Sequence, residues 1–251
     1  MRIKILACLA AAALAIAALP AGLAAGDTAD DIAVASEAIL AGPGTARTAA
    51  TTTTACTDTA YALAAWRLSS TYKWYYNPSG APASVASTAL TALQNASQTM
   101  ATGRNRCGIP ASLSTTQQYA GSSTRTAQIT SSATCAGNDG YSVTSWGTLP
   151  SGYLGYTCVY YRPSTGAIIS SDMMLDKAHA WFTTLPATCS GAFDVQTVAT
   201  HERGHTAGLA HVDQTTHAVE TMSPSTRACD ISERYWALGD LTGLTARYAT
   251  P

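Results

Sequence analysis

His201-Glu202-Arg203-Gly204-His205-Thr206-Ala207-Gly208-Leu209-Ala210-His211 is an unbroken HExxHxxGxxH string. His201 and His205 stand four apart, so on a helix their rings leave one face and can grip a single metal ion. Glu202, beside the first ligand, reaches the open coordination position where a water sits. Gly208, three residues beyond His205, can take the left-handed conformation that ends a helix and turns the chain back. That turn carries His211 round as a third imidazole. Three neutral imidazoles and one exchangeable water describe a catalytic zinc site, because a closed structural site uses four protein ligands. A bare HExxH can sit on any solvated or core-packed helix. Here three of the chain's five histidines fall inside one string, with the Gly and third His at fixed offsets.

Thr221-Met222-Ser223-Pro224 follows after a short polar stretch that contains His217 and Glu220. A Met near a Pro is by itself a common core filler. Placed just after the histidine string, it looks like a Met-turn, an apolar floor beneath three zinc-bound histidines. With these residues the chain resembles the matrixin-like metzincins, particularly small secreted bacterial members, from about Cys56 to the C-terminus. The resemblance implies an α+β catalytic domain. Its parts are a twisted, mainly parallel sheet, an active-site helix, a Met-turn at Met222 and a C-terminal helix.

It also implies a zinc metalloendopeptidase holding one catalytic Zn2+ on His201, His205 and His211. Zinc polarises the scissile carbonyl and lowers the pKa of its water toward about 7. Glu202, as general base, takes the water's proton and passes it to the leaving amine. An edge strand in such enzymes pairs with extended protein or peptide substrate, and by order Tyr153, Leu154, Gly155 and Tyr156 are the nearest candidates. Asp172 and Asp176 fall where the family has calcium-binding carboxylates, so Ca2+ is a second implied ion; the plainer reading leaves both at the end of a strand. Val212 after the third His and Ser223 after the Met depart from the Ser and Tyr of animal matrixins, around the specificity pocket. His179 and His217 are too few for a second, structural zinc and read as surface residues. Two other readings keep the zinc: a secreted binding module without turnover, which an intact Glu202 disfavours, and an amidase acting on a non-protein amide.

The chain has 251 residues, enough to bury one good core. Its start stands apart from that core. Arg2 and Lys4 precede an Ala- and Leu-rich run from Ile5 to Leu19, and small residues at Ala21, Ala24 and Ala25 offer cleavage sites. Residues 1–25 therefore read as a secretory signal peptide, too short for a membrane span. Charged residues are 12% of the chain and the net charge is −1, which gives neither a basic face for nucleic acid nor a charged block for a membrane. A secreted, extracellular protein follows, and nothing requires more than a monomer. Without Cys8 six cysteines remain, an even number that favours three disulfides outside the cell. Cys189 and Cys229 bracket the zinc helix and the Met-turn and are the expected pair.

Residues 26–55 read as a flexible leader or short propeptide, with Gly42-Pro43-Gly44 and the Thr51–Thr54 run and little apolar periodicity. The catalytic domain occupies 56–251. Within it the pattern predicts a strand over 66–76 and a helix over 82–101, with Pro82 at its start and Gly103 at its end. Strands follow around 126–130, 141–146, 153–161 and 167–175, the last two joined through the turn Pro163-Ser164-Thr165-Gly166. The zinc helix is expected over 193–208 and a final helix over 238–248. Arg106-Cys107-Gly108-Ile109-Pro110 looks like a matrixin cysteine switch, in which a propeptide thiolate takes the zinc's open position. Its place after the domain's first expected helix argues for a disulfide at Cys107 instead.

Overall fold

The computed structural model describes residues 31–44 and 54–250; the expected signal peptide lies outside them. The strands are β1 (Ala33–Ala41), β2 (Ala62–Leu63), β3 (Tyr72–Tyr76), β4 (Gln117–Ser122), β5 (Val143–Gly147), β6 (Tyr153–Tyr161), β7 (Ile168–Asp176), β8 (Trp181–Phe182), β9 (Phe193–Asp194), β10 (Leu209–Ala210) and β11 (Ser225–Thr226). The helices are α1 (Ala89–Thr102), α2 (Val195–Thr206), α3 (Gln214–His217) and α4 (Leu238–Tyr248).

One sheet organises the molecule, in the order β11-β1-β6-β7-β5-β3-β4. It is mainly parallel: β3 pairs in parallel with β4 and β5, β5 with β7, and β1 with β11, while β1–β6 and β6–β7 are antiparallel. The β6–β7 hairpin turns at Pro163–Gly166 as its sequence requires, and β6 matches its expected bounds. Along β7 alternation serves two cores at once, while β6 turns Tyr156, Cys158 and Tyr160 to one face and Leu154 to the other, where its pairing with β1 shifts register. Leu154, Met173 and Leu175 join the main core with Leu93, Met100, Val198, Met222 and Leu244, which lie on the helices and the turn beyond α2. Tyr156, Cys158, Tyr160 and Met174 meet Ala127, Ile129 and Leu149 on the other face. Both faces are covered, which is why the strands read as continuous apolar runs.

Several expected elements shift. The strand expected over 66–76 begins only at Tyr72, because Trp66 turns inward and its indole donates to the His205 carbonyl at 2.7 Å. The helix expected from 82 begins at Ala89, preceded by tight turns such as Val85 N–H to Pro82 O at 3.0 Å; it ends at Gly103, whose φ of 66° only glycine takes freely. No strand forms over 126–130. That stretch is a loop, bridged only at Ile129–Cys135 and stapled to β6 by the Cys135–Cys158 disulfide. β4 was not foreseen, since Gln117-Gln118-Tyr119-Ala120-Gly121-Ser122 lacks apolar alternation; at a sheet edge it does not need it. The zinc helix starts at Val195, with Phe193–Asp194 forming β9 instead.

The largest correction concerns the leader. Ala33–Ala41, expected to be flexible, forms a nine-residue strand inside the sheet, between β6 and β11. The cysteines behave as expected: Cys189 pairs with Cys229, and Cys107 is in a disulfide, with Cys56. Three disulfides fit an oxidising compartment. No helix among the described residues is long and apolar enough to cross a membrane.

Candidate active site and metal centre

Helix α2 carries most of the site, and its sequence fixes it firmly. Asp194 caps its start, accepting from the Thr197 amide at 2.9 Å and the Thr197 hydroxyl at 2.8 Å. Arg234 grips the same carboxylate through two nitrogens, at 2.8 and 2.7 Å. Every residue of α2 is buried. Between the two histidine positions, Arg203 points the other way into the core. Its guanidinium donates to the Ser97 hydroxyl at 3.0 Å, the Thr144 hydroxyl at 2.8 Å and the Tyr72 hydroxyl, and lies 4.7 Å from the Trp74 ring centre. This cation ties α2 to α1 and to β3 and β5, and so sets the roll of the helix and the direction of its opposite face.

That face presents His201 and His205. After the helix, Gly208 sits at φ 83° with its α-carbon against the Trp66 carbonyl, where any side chain would collide with backbone. The reversal brings in His211. The three Nε2 atoms lie 3.0, 3.0 and 3.1 Å from one another. His201 Nδ1 faces the Thr221 carbonyl at 2.7 Å and His205 Nδ1 the Leu209 carbonyl at 3.0 Å. A carbonyl only accepts, so both Nδ1 atoms hold their ring's proton and the Nε2 lone pairs point at each other. Uncompensated, that contact is repulsive; a cation at the centre resolves it. Tetrahedral zinc with Zn–N of about 2.0–2.1 Å separates its nitrogens by roughly 3.3 Å, close to this spacing. Burial first, then the neighbouring rings, hold His201 and His205 well below the usual imidazole pKa, and burial takes His211 down to about 4. All three rings are neutral at pH 7, and among the described residues they form the group of three or more that could hold a metal ion.

Beneath α2, Met222 is fully buried and presses on Gly204, where a β-carbon would strike the Met222 sulfur. The turn that places it is tied down by a residue the sequence did not single out. Asp240, at the start of α4, accepts from the amides of Thr221 at 2.7 Å, Ala237 at 3.0 Å and Met222 at 3.1 Å. Its own amide donates to Glu220 at 2.9 Å. No motif marks Asp240; an acid in the first turn of a helix was its one legible trait.

Glu202 is fully buried beside the histidines. One carboxylate oxygen accepts from the Thr157 hydroxyl, and the other lies 3.2 Å from the Ile39 amide nitrogen. Burial pushes its pKa up to about 8, partly offset by those two donors. Tyr153, Leu154, Gly155 and Tyr156 open β6, which runs past Glu202 with β1 along its outer side. Asp172 and Asp176 stay apart from this centre. Asp172 accepts from the amides of Gln128 and Val143 at 2.8 Å each, and Asp176 from Leu149 at 2.9 Å and Ala178 at 3.0 Å. These bonds tie Asp172, at the middle of β7, and Asp176, at its end, to Val143 at the start of β5 and Leu149 just past its end. His179 stands near Asp176 at 3.8 Å, and His217 near Asp58 at 2.9 Å, both partly exposed.

The matrixin family model matches residues 151–249, a span that contains β6, β7, α2, the three histidines, Met222 and α4. No curated protein matches the chain.

Proposed function

We propose that this chain, which the matrixin family model matches over residues 151–249, is a secreted zinc metalloendopeptidase that hydrolyses peptide bonds in extracellular proteins, with Glu202 as general base and His201, His205 and His211 as the zinc ligands. The bound ion supplies Lewis acidity and a water of lowered pKa. The chain's own residues do the rest. β6 is an inner strand here, not the expected edge: β1 takes the backbone hydrogen bonds of its outer side, and a peptide substrate laid along Tyr153–Tyr156 takes that place when β1 leaves it. Glu202 accepts the water's proton and delivers it to the leaving nitrogen. Thr157 and the Asp240-braced turn hold the carboxylate and the floor in place.

One observation carries the reading: Glu202 lies 3.2 Å from a backbone amide nitrogen, on a strand crossing the site beside three converging histidines. Glu202 accepts that N–H, so its carboxylate stands within the hydrogen-bond reach of a peptide nitrogen that acid–base catalysis requires. The test is digestion of an unfolded casein-like protein by the form recovered from the culture medium, beside Glu202→Ala. Cleavage by the first and a fall of about 100-fold or more in the second, with zinc retained in both, is expected. Equal cleavage by both would remove Glu202 from the chemistry.

A further inference from the structure

The strand beside β6 is not a neutral neighbour. β1 runs antiparallel to β6 from Ala33↔Tyr161 to Ile39↔Gly155, and parallel to β11 at Leu40↔Ser225 and Ala41↔Thr226. Past Ile39 it is clamped on both sides: Leu40 N–H donates to Pro224 O at 2.9 Å, Ala41 N–H to Gly152 O at 2.8 Å and Gly42 N–H to Thr226 O at 2.7 Å. Alternation along the strand sends Glu37 and Ile39 toward α2, and Ser36 toward the Tyr156 hydroxyl at 2.7 Å. Glu37 Oε2 comes 3.5 Å from the outer nitrogen of His211. Ile39 is 1% exposed, the one fully buried side chain of β1, and joins the cluster that contains Val198 and Met222. It is the Ile39 nitrogen that meets Glu202. An apolar anchor, an extended backbone held on both edges, and an amide nitrogen at the acid–base carboxylate are what a protease asks of its substrate.

We propose that Ala33–Ala41 is this enzyme's own first substrate, and that Ala38–Ile39 is the bond it cuts. While intact, the strand closes the site to other proteins. In the cut, water adds its hydroxyl to the Ala38 carbonyl carbon, and the C–N bond to Ile39 breaks. Glu202 passes the water's proton to the Ile39 nitrogen, leaving a carboxylate on Ala38 and a free amine on Ile39. The inference rests on the protease reading above and adds the site, the sequence and the order of events.

The full-length chain is produced as wild type, Glu202→Ala and Ile39→Asp, and each is followed by intact mass, N-terminal sequencing and casein digestion. The wild type should acquire the N-terminus Ile39-Leu40-Ala41, with casein cleavage rising as that end appears, while Glu202→Ala keeps the bond. Ile39→Asp puts a charge in the buried slot and should leave no cut at this bond. Ile39→Ala, which only empties the slot, should slow self-cleavage by about tenfold or more if the Asp variant folds poorly. A readout independent of turnover is amide exchange in metal-free Glu202→Ala. There the amides of Leu40, Ala41 and Gly42 should exchange about 100-fold slower than in Ile39→Asp. Exchange at the unprotected rate in Glu202→Ala overturns the seating. A wild type that digests casein with Ala38–Ile39 intact overturns this proposal and leaves the protease reading standing. A zinc-loaded wild type that cuts neither itself nor casein overturns both.

Discussion

Asp240→Ala is the perturbation whose size the structure fixes best. The carboxylate is fully buried and accepts three backbone amides, from Thr221, Ala237 and Met222, at 2.7, 3.0 and 3.1 Å. Alanine leaves all three donors without a partner, and a buried unsatisfied donor costs about 1–3 kcal/mol. Part of that returns. Burial, then the Asp240 charge beside it, push Glu220 up to about 9, so removing Asp240 relieves a crowded pair. The net loss expected is about 3–5 kcal/mol, a large share of the roughly 5–15 kcal/mol of a whole domain. Asp240→Asn, which keeps one acceptor oxygen, should lose about half as much. The same carboxylate positions Thr221, whose carbonyl orients His201, so zinc affinity should weaken by about 10–100-fold. Denaturant unfolding with the disulfides intact gives the first quantity and chelator competition the second. A loss under about 1 kcal/mol with unchanged zinc affinity would refute the reasoning.

Two further outcomes follow from single residues. Gly208→Ala must hold a β-carbon at positive φ against the Trp66 carbonyl, so stability should fall by about 2 kcal/mol or more and zinc binding should weaken as His211 moves; unfolding and zinc titration read both. Burial raises Asp172 to about 6, above its unfolded value, so the folded state holds that proton more tightly. Its contribution to stability is therefore fully present below about pH 4 and is lost as pH rises through about 6. In Asp172→Asn this part of the stability slope between about pH 4 and 6 should vanish in unfolding curves taken across that range.

The convergence of the three histidines beside Glu202 was legible because all four lie within eleven residues, where helical spacing places His201 and His205 on one face and Gly208 turns the chain to bring in His211. β6 and α4 were legible to the residue, being a long apolar run after a glycine and an apolar stripe on one helix side. Arg203 and Asp240 were not. Their importance rests on partners 59–131 residues away for Arg203 and 18–19 for the Met-turn amides of Asp240, and nothing local announces a buried ion held by hydroxyls or amides. β1 was hidden for a related reason. Ala33-Val34-Ala35-Ser36-Glu37-Ala38-Ile39-Leu40-Ala41 is too rich in small residues to read as a core strand, and it takes its order from β6 and β11. β4 escaped because an edge strand can be polar.

The central claim is that one zinc ion sits on three neutral imidazoles with a fourth position left for the chemistry. Zinc-edge X-ray absorption on the purified chain, with metal content from elemental analysis, tests it most directly. One zinc per chain, with a shell of three imidazole nitrogens at about 2.0–2.1 Å and one further light atom, is the predicted result. No bound zinc, or a closed shell of four protein ligands, would contradict it.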